Sequence, residues 1–176
     1  MIGAVVLAAG SATRFGAPKQ RLLLAEVLTR LGTAPVDEIV VVSGAHALLP
    51  CVTETQGNVQ LAHCTEWERG PGASLRCGLA RLSSETEAAI VVLADGPDLA
   101  SAAVGRVIDA WRSGGGDLVA ASYDGVRGHP LLLARSAWND VPDEGLRDRE
   151  PRLVPCDDLG APGDVDVPAD LPERFL

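Results

Sequence analysis

Short apolar runs and longer stretches of helical periodicity take turns along this chain. Ile2–Ala8 is apolar throughout, the pattern of a strand covered on both faces. Leu23–Leu31 follows as a helix stopped by Gly32, and Glu38–Val42 as a second strand entering Gly44-Ala45-His46. Val59–His63 predicts a third strand. Gly72–Ser83 predicts a helix, because Leu75, Leu79 and Leu82 return to one face at i, i+4 and i+7. Ala88–Leu93 is the clearest central strand. Ser101–Arg112 carries the stripe Val104, Val107, Ile108 and Trp111 and is stopped by Gly114-Gly115-Gly116; Leu118–Ser122 and Pro130–Ala134 complete the strands. This alternation implies an α/β fold, a mostly parallel sheet covered by helices on both faces. Ligands of such sheets collect beyond the carboxyl ends of the strands. Three places there draw attention: the loop from Gly10, Asp95, and the loop around Gly128-His129-Pro130.

Length and composition narrow the picture. A chain of 176 residues is most simply one domain, 1–176, and no linker or repeat divides it. Apolar residues make up 47% but aromatics only 3%, so the core must be built from Ala, Val and Leu. The net charge of −9 argues against nucleic acid or another polyanionic surface as partner, since those are held by concentrated Lys and Arg. Cys51, Cys64, Cys77 and Cys156 form no C-x-x-C pair and have no histidines at zinc-finger spacing, so they read as reduced thiols. The N-terminal apolar run is too short to span a membrane and lacks the features of a signal peptide. A cytoplasmic protein is expected.

Chemistry concentrates where the first strand ends. Leu7-Ala8-Ala9-Gly10 opens a loop of small residues that carries Arg14, Gly16, Pro18 and Lys19. Small residues let the backbone approach a ligand, loop N–H groups suit an anion, and Arg14 and Lys19 add two positive charges. A nucleoside triphosphate is the natural ligand. Five residues separate Gly10 from Gly16, and Ala17 follows it, so this is no Walker A loop. Ala12 stands where a dinucleotide fingerprint needs its second glycine, which disfavours hydride transfer. The stretch resembles the L-A-A-G-x-x-x-R-x-G-x-P-K signature of the nucleotidyltransferases related to the molybdenum-cofactor cytidylyl- and guanylyltransferases. That resemblance implies a three-layer, Rossmann-like α/β/α nucleotidyltransferase fold.

Further segments extend the likeness over nearly the whole chain. Leu93-Ala94-Asp95-Gly96-Pro97-Asp98 resembles L-A-D-x-P-D, whose first aspartate holds magnesium in that family. Asp164-Val165-Asp166-Val167-Pro168-Ala169-Asp170-Leu171 resembles D-x-D-T-P-x-D-L, which makes Asp166 the expected second ligand, with Val167 in place of a threonine cap before a helix opened by Pro168. Trp67 to Leu79 resembles W-x-x-G-x-x-x-S-L-x-x-G-L, part of the nucleotide site, where Ser74 bonds either a helix N-terminal N–H or the ligand, capping being the plainer role. Gly78 inside that helix permits close packing or ligand approach. Gly128-His129-Pro130 and Asp143 to Arg147 resemble segments that face the acceptor, which implicates His129 and Arg147. Structural readings compete with each: a turn aspartate at Asp95, an acidic tail at Asp166, a turn histidine at His129 and a solvated charge at Arg147.

The implied reaction is attack by the acceptor's phosphate monoester on the α-phosphorus of a nucleoside triphosphate, with release of pyrophosphate. The nucleophile is already an anion, which fits a sequence without a recognisable nucleophile–base pair. Arg14 and Lys19 would act on the phosphates and Leu7, Ala8, Ala9, Gly10 and Ser74 would bind nucleotide, while Mg2+ would lie on Asp95 and Asp166. Leu7-Ala8-Ala9-Gly10 is closer to cytidylyl- than to guanylyl-transferring relatives, which favours CTP over GTP; uridylyl-transferring relatives share the alanine. Molybdopterin is the implied acceptor. Two other readings stay open: a non-catalytic nucleotide- or cofactor-binding protein that assists a molybdoenzyme, and a sugar-phosphate nucleotidyltransferase. The segment after Lys19, Gln20-Arg21-Leu22-Leu23-Leu24, runs almost directly into a helix and is shorter than the family pattern.

Overall fold

The computed structural model describes residues 1–10, 19–46 and 58–175, with backbone only at 19–22 and 168. Its strands are β1 (Ile2–Ala8), β2 (Glu38–Ser43), β3 (Val59–His63), β4 (Ala88–Leu93), β5 (Leu118–Tyr123), β6 (Val126–Ala134) and β7 (Arg152–Pro155). The helices are α1 (Lys19–Leu31), α2 (Pro71–Leu79) and α3 (Ser101–Arg112). One seven-stranded sheet runs in the order β3-β2-β1-β4-β6-β5-β7. Its strands are parallel except β6, which is antiparallel to both of its neighbours.

The alternation of side chains along the strands divides the core between the two faces. Ala4, Val6 and Ala8 of β1 turn to one face and pack with Leu24, Val27, Leu28 and Leu31 of α1 and with Val104, Val107 and Ile108 of α3. Val5 turns to the other, against Leu75 and Leu79 of α2. The expected three-layer arrangement is therefore present. Gly78 lets α2 lie this close: a Cβ there would stand 2.8 Å from Val42 Cγ2 and crowd Val5 as well. Packing, rather than ligand approach, accounts for that glycine.

Four expectations need correction. α2 ends at Leu79, not Ser83, because Glu38 captures the chain beyond it: its carboxylate accepts the Ser83 N–H at 2.9 Å and the Thr86 hydroxyl. Leu82 still reaches the core from the resulting turn, against Gly3. Gly128-His129-Pro130 lies within β6 rather than in a loop, because β6 begins at a tight turn whose central residues, Asp124 and Gly125, have φ of 52° and 75°. Cys64 and Cys77 are bonded to each other, contrary to the reading of four reduced thiols. No local motif marks that pair. The connection from β3 into α2 brings their Cα atoms to 5.8 Å. Cys156 is free and buried, and Cys51 lies outside the described residues. Lastly, Pro168–Asp170 forms a single 3-10 turn in place of a helix; the Asp170 carboxylate accepts the N–H groups of Asp166 and Val167. Among the described residues no helix is long and apolar enough to cross a membrane.

Candidate functional site

β1 and β4 are neighbours, Leu7 pairing with Leu93, yet the chain leaves them in opposite directions across the sheet. This is a switch point, where parallel sheets leave a crevice beyond their carboxyl ends. The antiparallel β6 adds its beginning to the same edge. Arg127, His129 and Leu131, at alternate positions, all line the crevice.

Two cavities occupy this edge. One, of about 270 Å3, has apolar walls from Leu7, Leu75, Val91, Leu93, Leu131 and Leu146, and carries Arg127, His129, Glu144 and Arg147. The other, of about 350 Å3, is bounded by Leu7, Ala9, Gly10, Trp67, Gly70, Pro71, Ser74 and Leu93. Leu7, Leu93 and Pro71 belong to both. The cavities therefore share a floor.

Electrostatics in the cavity that holds His129 follow from burial. Desolvation pushes the His129 imidazole down to about 4, the nearby Arg127 guanidinium acts in the same direction, and the Asp95 carboxylate opposes them. His129 is neutral at pH 7, a hydrogen-bonding group and not a cation. Its backbone carbonyl accepts the Tyr123 hydroxyl at 2.9 Å, and burial raises that phenol to about 12. Arg127, itself lowered by burial, donates to the carbonyls of Arg149 at 2.7 Å and Arg147 at 3.4 Å, which ties β6 to the segment that carries Arg147.

The C-terminal segment folds back onto the end of β4. Val165 N–H donates to the Asp95 carbonyl at 3.2 Å and Asp98 N–H to that of Pro162 at 2.9 Å, with Val165 buried beneath. Arg174 adds a 2.6 Å ion pair with Asp98. Asp166 thus follows a residue bonded directly to Asp95, although the two are 71 positions apart in sequence.

Sequence comparison decides the family. The profile of the MobA-like NTP transferase domain matches residues 4–154. The chain belongs to that family. It is accordingly a nucleotidyltransferase-type protein, built on the Rossmann-like fold of its relatives. No curated protein matches it by sequence. Rv0371c from Mycobacterium tuberculosis H37Rv is 27% identical, with 96% of this chain and 94% of that one covered and a TM-score of 0.78. The Rv0371c homologue from Mycobacterium sp. strain JC1 is 25% identical over 96% and 92%, again at 0.78. A structure of Rv0371c in complex with manganese is 26% identical over 96% and 95%, at 0.73.

Within this MobA-like chain, Leu7, Ala9, Gly10 and Ser74 meet at one cavity, and His129 and Arg147 at the other. Ala8 turns instead into the core beneath α1. Ser74 does not have the capping role: α2 has Gly70 at its N-cap and no side-chain cap bond, and Ser74 is the fourth helical residue. Lys19 begins α1; its side chain, like all of Arg14, lies outside the described residues. Arg127 and Glu144 line their cavity without a role that the sequence assigns to them, whereas Trp67 opens the W-x-x-G segment. Arg127 carried a usable signal, its period-two spacing from His129, but only once a strand is recognised there.

Proposed function

We propose that this protein transfers CMP from CTP to the phosphate monoester of an acceptor of the molybdopterin type and releases pyrophosphate, as a cytoplasmic enzyme. The two cavities with a common floor at Leu7 and Leu93 carry the proposal, because they offer two substrates adjoining places at one switch point. The nucleotide takes the side of Ala9, Gly10 and Ser74. The acceptor takes the side of His129 and Arg147, whose apolar walls favour a planar body over a sugar with many hydroxyls.

Asp95 and Asp166 fit a divalent cation: both offer hard carboxylate oxygen, and the Val165–Asp95 backbone bond joins their segments. No group of three or more metal-ligating side chains occurs among the described residues. A bound Mg2+ supplies neutralisation of phosphate charge. This chain's own residues do the rest. Arg14 and Lys19 cover the triphosphate and the leaving pyrophosphate, the strand ends hold the two anions in line, and neutral His129 offers the acceptor a hydrogen bond without a fixed charge.

The decisive assay incubates the protein with Mg2+, molybdopterin and each labelled triphosphate in turn, and measures pyrophosphate. CTP should be preferred. Lys19→Ala should lower turnover by about 10²–10³-fold, the usual effect of deleting one charge-stabilising contact. Full activity in that variant removes Lys19 from the mechanism. Mn2+ binding followed by electron paramagnetic resonance should weaken in Asp95→Asn and in Asp166→Asn; unchanged binding in both excludes the carboxylate pair.

A further inference from the structure

The two walls of the site touch backbone to backbone, and one side chain joins them. Gly72 N–H at the start of α2 donates to the Asp143 carbonyl at 2.9 Å. A Cβ on Gly70 would overlap that same carbonyl oxygen, and a Cβ on Gly72 would overlap the Pro142 carbonyl. Above this seam, the Asp143 carboxylate receives two guanidinium groups: Arg69 approaches Oδ2 at 3.0 and 3.1 Å, and Arg76 binds Oδ1. Arg76 also donates to the Val141 carbonyl at 2.6 Å, and Arg69 to Glu66 at 2.9 Å.

These bonds tie unlike parts of the site. Gly70 and Pro71, which follow Arg69, bound the nucleotide-side cavity; Glu144, Gly145, Leu146 and Arg147, which follow Asp143, wall the acceptor side. The Cys64–Cys77 bond fixes the Arg76 end of α2 to β3. The stretch from Val141 to Arg147 belongs to no helix or strand, so it depends on such links for its position.

We propose that Asp143 is a positioning residue: by bridging Arg69 and Arg76 it sets the acceptor wall, and with it Arg147, against the nucleotide wall. The assignment to acceptor and nucleotide sides rests on the reading above. Asp143→Asn keeps the shape and removes the charge that both arginines need. Left without it, the two guanidiniums stand on the α2 side of the seam with no carboxylate of the acceptor wall between them, and that wall loosens.

Hydrogen exchange on the ligand-free protein tests the bridge apart from any activity. The amides of Gly72 and Gly145, which donate to the Asp143 and Pro142 carbonyls, should exchange at least about tenfold faster in Asp143→Asn, with those of β1 and β4 unchanged, and Asp143→Glu should restore part of the protection. With CTP, Mg2+ and molybdopterin, KM for molybdopterin should rise about tenfold while KM for CTP stays within about twofold. Unchanged exchange at Gly72 and Gly145 overturns the bridge. Exchange that rises across the whole sheet, or an equal rise in both KM values, reduces Asp143 to a general stabiliser. Wild-type protein that transfers nothing to molybdopterin defeats the choice of acceptor, and the exchange result then decides the positioning role alone.

Discussion

His129 has a depressed pKa because the fold buries it beside a cation, and that has a measurable consequence. Between pH 6.5 and about 4 the unfolded chain takes up a proton at this imidazole while the folded chain does not. Stability is therefore undiminished by this residue above pH 6.5 and falls as pH drops through that window, by up to about 3 kcal/mol. Urea midpoints at pH 7 and pH 4.5 should separate more in the wild type than in His129→Gln; parallel behaviour would disprove the buried neutral state. Asp95 was legible because it ends an apolar run, and His129 because it stands in the Gly128-His129-Pro130 segment that carries the family resemblance. Arg127 was not, since the strand that aligns it with His129 starts four residues before the apolar run at Pro130. Ala8 belongs to the same motif as its neighbours, and strand alternation turns its side chain to the face beneath α1.

Glycines show how closely the elements are fitted. Gly72→Ala forces a methyl group into the Pro142 carbonyl and should destabilise the chain by about 2–3 kcal/mol. Gly105→Ala, in the middle of α3, meets only Pro35 Cγ at 4.0 Å and should stabilise it by about 0.5–1 kcal/mol. Thermal unfolding of the two variants should move in opposite directions, and a shift of the same sign would contradict the contacts described for one of them. Periodicity located α3 with the observed bounds, since its apolar stripe and glycine stop agree. It overran the end of α2, where Leu82 keeps helical spacing although the chain has already turned towards Glu38. The weakly patterned edge strand β7, Arg152–Pro155, escaped notice because only Val154 of its four residues is even partly buried among exposed neighbours.

At the scale of the molecule, the sheet and its switch point follow from alternating patterns that the sequence displays openly, but long-range closures do not. The Cys64–Cys77 bond joins a strand end to a helix. Reduction, or Cys77→Ser, should lower unfolding stability by about 3 kcal/mol, the amount expected for a loop of this size. Urea midpoints that coincide with and without reductant would show that the bond contributes nothing. The return of the C-terminal segment to Asp95 is implied by the resemblance at Asp166 but leaves no mark in hydrophobic periodicity, because the bonds made next to Asp95 are backbone ones that every residue possesses.

The floor shared by the two cavities also bears on how a turnover ends. On the proposed reaction, two substrates would arrive separately, each held by one chamber. A joined product would then lie across Leu7 and Leu93, gripped at both ends, so that its two contacts reinforce each other through high effective concentration. Pyrophosphate, lacking a hold in the acceptor chamber, would depart first. On the proposed reaction, rapid mixing should accordingly give a burst of pyrophosphate equal to the number of sites, followed by a slower steady rate set by escape of the dinucleotide.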